Sequence, residues 1–200
     1  MADYGGSTTP AETRDQTQTP LWLFQAMDLE FDFALDAACM DHTALVPGAY
    51  LTPRENSLIV PWADQLDPLK NNAHVWLNPP YSNPKPWVKK AMIERHNGVT
   101  TVMLVPMDAT ASWWPGDNAQ ELRVITGYYD ENNKWRSGRI AFIHPVTGEE
   151  MPGNPKGSCF LIFRPEVDHH TVTYVSKGDL LLYAKLHPNY GKTLQQLLAA

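Results

Sequence analysis

Val75-Trp76-Leu77-Asn78-Pro79-Pro80-Tyr81 is a short apolar strand that stops at a polar amide, two proline rings and an aromatic. Each proline fixes φ and carries no N–H, so the turn is stiff and its carbonyls lack local amide partners. Asn78 offers a side-chain carbonyl, Pro79 a backbone carbonyl and Tyr81 a flat face. That set suits a planar ring bearing an exocyclic NH2, with one acceptor for each hydrogen and an aromatic to stack on it. Asn, Pro and Ser are also ordinary residues of a strand-ending turn. A tyrosine in the fourth position after an apolar strand favours the amino-group reading.

Around this turn the chain alternates strands and helices. Residues 1–18 are rich in Thr, Gln, Asp and Gly and read as a flexible N-terminal tail, followed by a single domain over 19–200. Thr19 is a good N-cap and Pro20 a good first helical residue for a helix ending near Asp28. Phe31 to Ala38 reads as a mostly buried strand ending in a carboxylate, and residues 40–57 as an irregular excursion. A helix is expected from Lys85 to His96, with an apolar stripe of Trp87, Val88, Ala91 and Met92 and with Gly98 as C-cap. Val99 to Pro106 is the cleanest buried strand. Further strands are expected at Leu122 to Thr126, Arg139 to Ile143 and Ser158 to Arg164, with helices at Asp179 to Leu186 and Thr193 to Ala199. This order predicts a three-layer α/β fold whose mixed sheet has an antiparallel edge.

Two hundred residues fit one domain with a substantial core. Cys39 and Cys159, the two cysteines, lie in apolar runs, so a reducing compartment is expected rather than a disulfide framework. The chain begins without a signal-peptide pattern, and runs such as Val102 to Met107 are too short to span a membrane. A net charge of −6 argues against a protein that coats nucleic acid, yet leaves room for a local basic face. Lys85, Lys89, Lys90 and Arg95 form one basic group, and Lys134, Arg136, Arg139 and Lys156 another. Either they flank one cleft or they are solvated surface charges.

The ordered series of these segments resembles the phage-type DNA N6-adenine methyltransferases, the small Dam-like family, over roughly residues 17 to 165. Its carriers are Thr19-Pro20-Leu21-Trp22, Phe33 to Ala38, Tyr50-Leu51-Thr52-Pro53 with Asn56-Ser57-Leu58, Pro61-Trp62, and Val75 to Ser82. Trp87 with Ala91, Leu104-Val105-Pro106, Gly138 to Phe142 and Lys156-Gly157-Ser158 complete it. Asn-Pro-Pro-Tyr alone is shared with enzymes that methylate protein and RNA amino groups; the whole series is far more specific.

The resemblance implies a Rossmann-like S-adenosylmethionine-dependent methyltransferase fold that transfers a methyl group from S-adenosyl-L-methionine to adenine N6 in double-stranded DNA, with GATC as the expected site. It implies a phage- or prophage-encoded enzyme in the cytoplasm of a bacterial host, acting as a monomer or weak dimer. Asn78, Pro79, Pro80 and Tyr81 would be the catalytic turn, with the target adenine extruded from the duplex. Thr19, Pro20 and Trp22 would face the donor, the helix start holding its carboxylate. Asp36 would take its ammonium or a ribose hydroxyl, and Asp64 its adenine amino group. Lys85, Lys89, Arg139 and Ser158 would meet DNA, with target-recognition loops within 107–157. One departure stands out: Leu35-Asp36-Ala37-Ala38-Cys39-Met40-Asp41 replaces the family's glycine-rich loop, so the donor is expected to be held either more by side chains or weakly until DNA binds.

Other conspicuous residues carry less. Trp113 and Trp114 are either a pocket border or core, and His169-His170 lacks a ligand set at metal-site spacing. Two rival classes share the key turn: a methyltransferase acting on protein glutamine, and a non-catalytic protein that binds DNA or the donor.

Overall fold

Seven successive residues, Thr100–Pro106, form a strand buried at every position, which requires cover on both faces of its sheet. The computed structural model describes residues 15–151 and 154–199. In chain order its strands are β1 (Leu35–Asp36), β2 (His74–Leu77), β3 (Thr100–Pro106), β4 (Glu121–Thr126), β5 (Tyr128–Tyr129), β6 (Trp135–Arg136), β7 (Phe142–Ile143), β8 (Glu150–Met151), β9 (Ser158–Phe163) and β10 (Thr171–Ser176). Six of them build one sheet in the order β1-β2-β3-β9-β4-β10, while β5 with β6 and β7 with β8 form small separate ribbons.

The expected antiparallel edge is corrected by this sheet. β9 runs antiparallel to both its neighbours, β3 and β4, in the interior, and the edge strand β10 runs parallel to β4. β1, β2 and β3 are parallel as well. Five strands therefore finish at one end of the sheet, where β9 begins. β10 went unread in the sequence because its side chains are largely exposed; the β-branched run Thr171-Val172-Thr173 was the available signal.

Helix α1 (Leu21–Phe31) packs against helix α3 (Lys177–Leu186), and helix α2 (Lys85–His96) against β3 and β9. A short α4 (Leu194–Leu198) ends the described chain with a Thr193–Gln196 capping box. The start of α1 differs from expectation by one residue. Pro20 itself is the N-cap, at φ −58° and ψ 131°, and its carbonyl accepts from Leu23 N (2.9 Å). Thr19 thus lies before the helix and does not cap it. At the other end Asp32 sits at φ 49° with its N–H on Asp28 O, and Asp28 Oδ1 accepts from Phe33 N (2.8 Å). This stop, at Phe31 instead of Asp28, turns part of the expected Phe31–Ala38 strand into helix end and loop and leaves only Leu35–Asp36 paired. An apolar run of that length does not by itself separate helix from strand.

Aromatic packing holds that short strand. Phe24 of α1 lies 5.4 Å from Phe33 and 5.5 Å from Trp76, with Phe33 also 5.4 Å from Trp76. The expected tail falls outside the described residues for 1–14, whereas Gln18 pairs with Ile143. Among the described residues no helix is long and apolar enough to cross a membrane.

α2 keeps its expected bounds but buries a charged pair beside Val88 and Ala91. Lys90 Nζ lies 2.5 Å from Glu94, donates to Val60 O (2.7 Å) and sits 5.6 Å from the Trp62 ring. Removing one partner of such a pair leaves an uncompensated buried charge. Glu94→Ala is therefore expected to lower stability by roughly 3–5 kcal/mol in urea unfolding, and Lys90→Met with Glu94→Leu to recover most of it. A Glu94→Ala protein as stable as the parent would show that the pair is solvated.

Candidate active site

The common strand direction gathers the loops after β1 and β2 at one sheet end, where open α/β sheets place their ligands. Leu35 pairs with Val75 and Asp36 with Trp76, so the last residue of β1 stands two positions short of Asn78 on the adjacent strand. A cavity of about 420 Å³ opens there, within the range of small-molecule sites. Four stretches wall it: Asp15 to Thr19, Asp36 to Met40, Leu51 to Pro53 with Asn56 to Leu58, and Asn78 and Pro80 with Trp76 and Trp87.

Asp36 is 2 % exposed. Burial pushes its carboxyl up to about 6, against the lowering effect of the Leu45 and Ala38 N–H groups and the Cys39 thiol. Leu45 N donates to Oδ2 at 2.9 Å and Ala38 N to Oδ1 at 3.4 Å. One carboxylate thus folds the loop after β1 around itself. The neighbouring Cys39 thiol is held far above its usual range by burial and by the Asp36 charge. In the stretch expected to stand in place of a glycine-rich loop, Ala37 and Ala38 line the cavity; their single methyl groups keep the backbone near its space.

The residues read as an irregular excursion form a fastened wall. Thr52 N and Oγ1 donate to Glu55 Oε2 (2.9 and 2.5 Å), closing a turn before Asn56 at φ 55°. The buried Trp62 Nε1 donates to Ser57 O (3.0 Å) and Ser57 Oγ (2.9 Å).

Two polar atoms in this cavity's walls are unusual. Thr19 Oγ1 and Asn78 Oδ1 are buried without a hydrogen-bond partner among the described residues. Leaving such an acceptor unmatched costs about 1–3 kcal/mol. Both residues line the cavity, together with Asp36 and Pro80. Pro79 is buried beside them, and the Tyr81 ring meets Phe142 edge-on at 5.8 Å.

Other expected site residues lie elsewhere. Pro20 is buried at the helix start, and Trp22 carries Lys177 Nζ at 5.8 Å over its ring, outside the cavity. Asp64 is exposed in the turn Trp62–Gln65, away from the cavity lining. Ser158 is 1 % exposed in β9, which removes it from any surface that could meet DNA. Lys85, Lys89 and Arg139 are exposed. Within the two basic groups, Lys90 belongs to the buried pair, Arg95 donates to Arg164 O (2.9 Å), Arg136 bonds Asp130 (2.7 Å) and Lys156 bonds Asp108 (2.5 Å). Half of those cations are internal ties. Trp113 is core, with Trp114 packed against it. His170 Nδ1 lies 2.6 Å from Ala119 O, and no metal-holding group of His, Cys, Asp and Glu occurs among the described residues.

The sequence reading missed Asp15 to Gln18, the Thr52–Ser57 wall and Trp87 as cavity residues. Thr52-Pro53 and Asn56-Ser57 carried a turn signal; Asp15 to Gln18 carried none.

The family model of DNA N-6-adenine-methyltransferase (Dam) matches residues 6–185. A Haemophilus phage HP1 protein named DNA N-6-adenine-methyltransferase is 33 % identical over 182 residues, which cover 87 % of this chain and 94 % of that one. A protein of the same name from Escherichia phage T1 is 34 % identical over 168 residues, covering 80 % of this chain and 67 % of its own.

Burial raises the folded-state carboxyl of Asp36 from 3.8 to about 6, so between those values the folded protein holds the proton more tightly than the unfolded chain. Its contribution favours folding below about pH 4 and is lost as pH rises through 6. Relative to Asp36→Asn, the parent protein should lose on the order of 3 kcal/mol between pH 4 and 7. Urea titrations of both proteins across that range check it, and a pH-independent difference would place Asp36 in solvent.

Proposed function

Because the chain belongs to the DNA N-6-adenine-methyltransferase (Dam) family, we propose that it transfers a methyl group from S-adenosyl-L-methionine to N6 of adenine in double-stranded DNA. The observation that carries this reading is the unpartnered, buried Asn78 Oδ1 in the wall of a cavity shared with Asp36 and Thr19. The six-stranded mixed sheet with its cavity at the strand ends supports a Rossmann-like methyltransferase fold. GATC is the proposed target, and that part rests on family resemblance.

The cavity suits the donor on its own chemistry. Its walls offer the Asp36 carboxylate for an ammonium or a ribose hydroxyl, and Thr19 at the start of α1 for a carboxylate. When bound, the donor supplies an electrophilic sulfonium methyl. Trp22 and Asp64, which stand outside the cavity, have no part in this assignment.

The rest falls to the turn after β2. The target adenine leaves the duplex, since its amino group is out of reach within the stack. Tyr81 stacks on the extruded ring. Asn78 Oδ1 and the Pro79 carbonyl accept the two N6 hydrogens and draw the nitrogen towards a pyramidal shape. That would free its lone pair to take the methyl group, with the donor released as a neutral thioether, and N6 would then give up one proton. Positioning and stabilisation of the developing positive charge supply the rate, and no covalent nucleophile takes part.

Expression in a methylation-free host followed by genome-wide methylation mapping tests activity, base and site together. N6-methyladenine within GATC is expected; a genome without methylated adenine would overturn the reading. Asn78→Ala should lower turnover by roughly 10²–10³ with the fold intact. Near-parental turnover in that variant would remove Asn78 from the chemistry.

A further inference from the structure

The turn that carries the chemistry has few means of being held. From Pro79 to Pro84 three of six positions are proline, so only Tyr81, Ser82 and Asn83 have an N–H with which to anchor this stretch. The structure shows where one of these goes. Ser82 N donates to Asp15 Oδ1 at 2.9 Å, and Ser82 Oγ donates to Asp15 Oδ2. A single carboxylate, 67 residues away in sequence, takes both donors of the residue that follows Tyr81.

The same short segment reaches the other side of Tyr81. Gln18 and Ile143 exchange two backbone hydrogen bonds (3.0 and 2.9 Å). The adjacent Phe142 is the ring that meets Tyr81 edge-on. Asp15 to Thr19 therefore runs along the cavity wall with one end on the backbone behind Tyr81 and the other on the strand that carries its aromatic neighbour. Nothing in this segment's composition marks it for such a task.

We propose that Asp15 is a positioning residue for adenine methylation: its carboxylate tethers Ser82 and so sets the Asn78–Tyr81 turn in the geometry that receives the amino group. This rests on the amino-group chemistry assigned to Asn78. Asp15 touches no reacting atom. Its effect comes through the turn, where a displacement of about 1 Å costs up to 10²-fold in rate. Asparagine is able to keep the tether without the charge, its oxygen accepting from Ser82 N–H and its NH2 donating to the Ser82 hydroxyl. Alanine is not.

The test compares Asp15→Ala, Asp15→Asn and the parent full-length chain in two measurements. In the first, Asp15→Ala should lower kcat on a GATC duplex by about tenfold to a hundredfold, a larger factor than any loss of calorimetric affinity for S-adenosylhomocysteine, since Asp15 also lines the cavity; Asp15→Asn should recover most of the rate. In the second, amide hydrogen exchange over 78–84 should quicken in Asp15→Ala and not in Asp15→Asn, whether or not the protein is active. Unchanged exchange in Asp15→Ala, equal damage by both substitutions, or a loss confined to donor affinity would each overturn the tether. A parent chain that transfers no methyl group, with exchange still responding to Asp15→Ala, would sink the proposed function and leave the tether standing.

Discussion

The parallel pairing of Leu35–Asp36 with His74–Leu77 is the constraint on which the rest of the molecule depends. It sets a carboxylate and the proline turn at the ends of adjacent strands, about 4.8 Å apart in the pairing direction. The pairing is short and includes an adverse group. Raising the Asp36 carboxyl to about 6 corresponds to roughly 3 kcal/mol against its ionised form. Phe24, Phe33 and Trp76 pack round the strand, and aromatic side chains of this kind bury roughly 150–250 Å² each. At about 25 cal/mol per Å² each contributes several kcal/mol before chain entropy, which outweighs the carboxylate. The aromatic cluster thus lets a two-residue strand hold a buried charge at the mouth of a cavity.

The direction of β9 has the second largest consequence. Were it parallel, the chain leaving β4 would have to cross to the far end of the sheet before re-entering it. As an antiparallel strand between β3 and β4, it accepts the chain at the end where β4 releases it. Residues 127–151 and 154–157, with both small ribbons, consequently stand at the same end as Asp36 and Asn78. Gly138 shows how closely this excursion folds back, because a Cβ there would fall 2.4 Å from the Thr126 carbonyl. Through Ile143 the excursion also joins the cavity wall at Gln18.

What was legible in the sequence follows from these two features. β3 and β9 could be read because burial on both faces leaves uninterrupted apolar runs, and α2 because its apolar stripe runs up to Gly98, at φ 85° just past the helix end. The turn from Asn78 to Tyr81 was legible as a stiff element because its constraint is local, two rings fixing two φ angles. Thr19 and Asp36 were legible through resemblance, and the structure brings both to the cavity. Trp22 and Asp64 came by the same route, yet Lys177 covers one and solvent surrounds the other. Ser158 failed for a different reason: a small polar residue at a strand start looks the same whether it faces solvent or core. Asp15 was illegible because its meaning lies in Ser82, and no local pattern encodes a contact across that separation.

Unpartnered buried oxygens are weak evidence one at a time. Thr101 Oγ1 is as buried and as unpartnered as Thr19 Oγ1 and Asn78 Oδ1, yet it sits within β3, away from the cavity lining, and has no evident role there. Convergence separates the other two from it. Thr19 precedes α1, Asn78 follows β2, and Asp36 ends β1; three unrelated elements deliver polar groups to one enclosed space. A folded chain gains nothing from leaving a hydroxyl and an amide oxygen unmatched beside a carboxylate whose ionised form burial disfavours, since each of these costs stability. A ligand that offers a hydrogen-bond donor, an acceptor and a positive charge relieves all three costs at once: the donor meets Asn78 Oδ1, the acceptor meets the Thr19 hydroxyl, and Asp36 becomes favourable in its ionised form. The amino group proposed at Asn78 and the cationic methyl donor proposed at Asp36 would have those properties, which ties the two halves of the proposed site into one energetic argument.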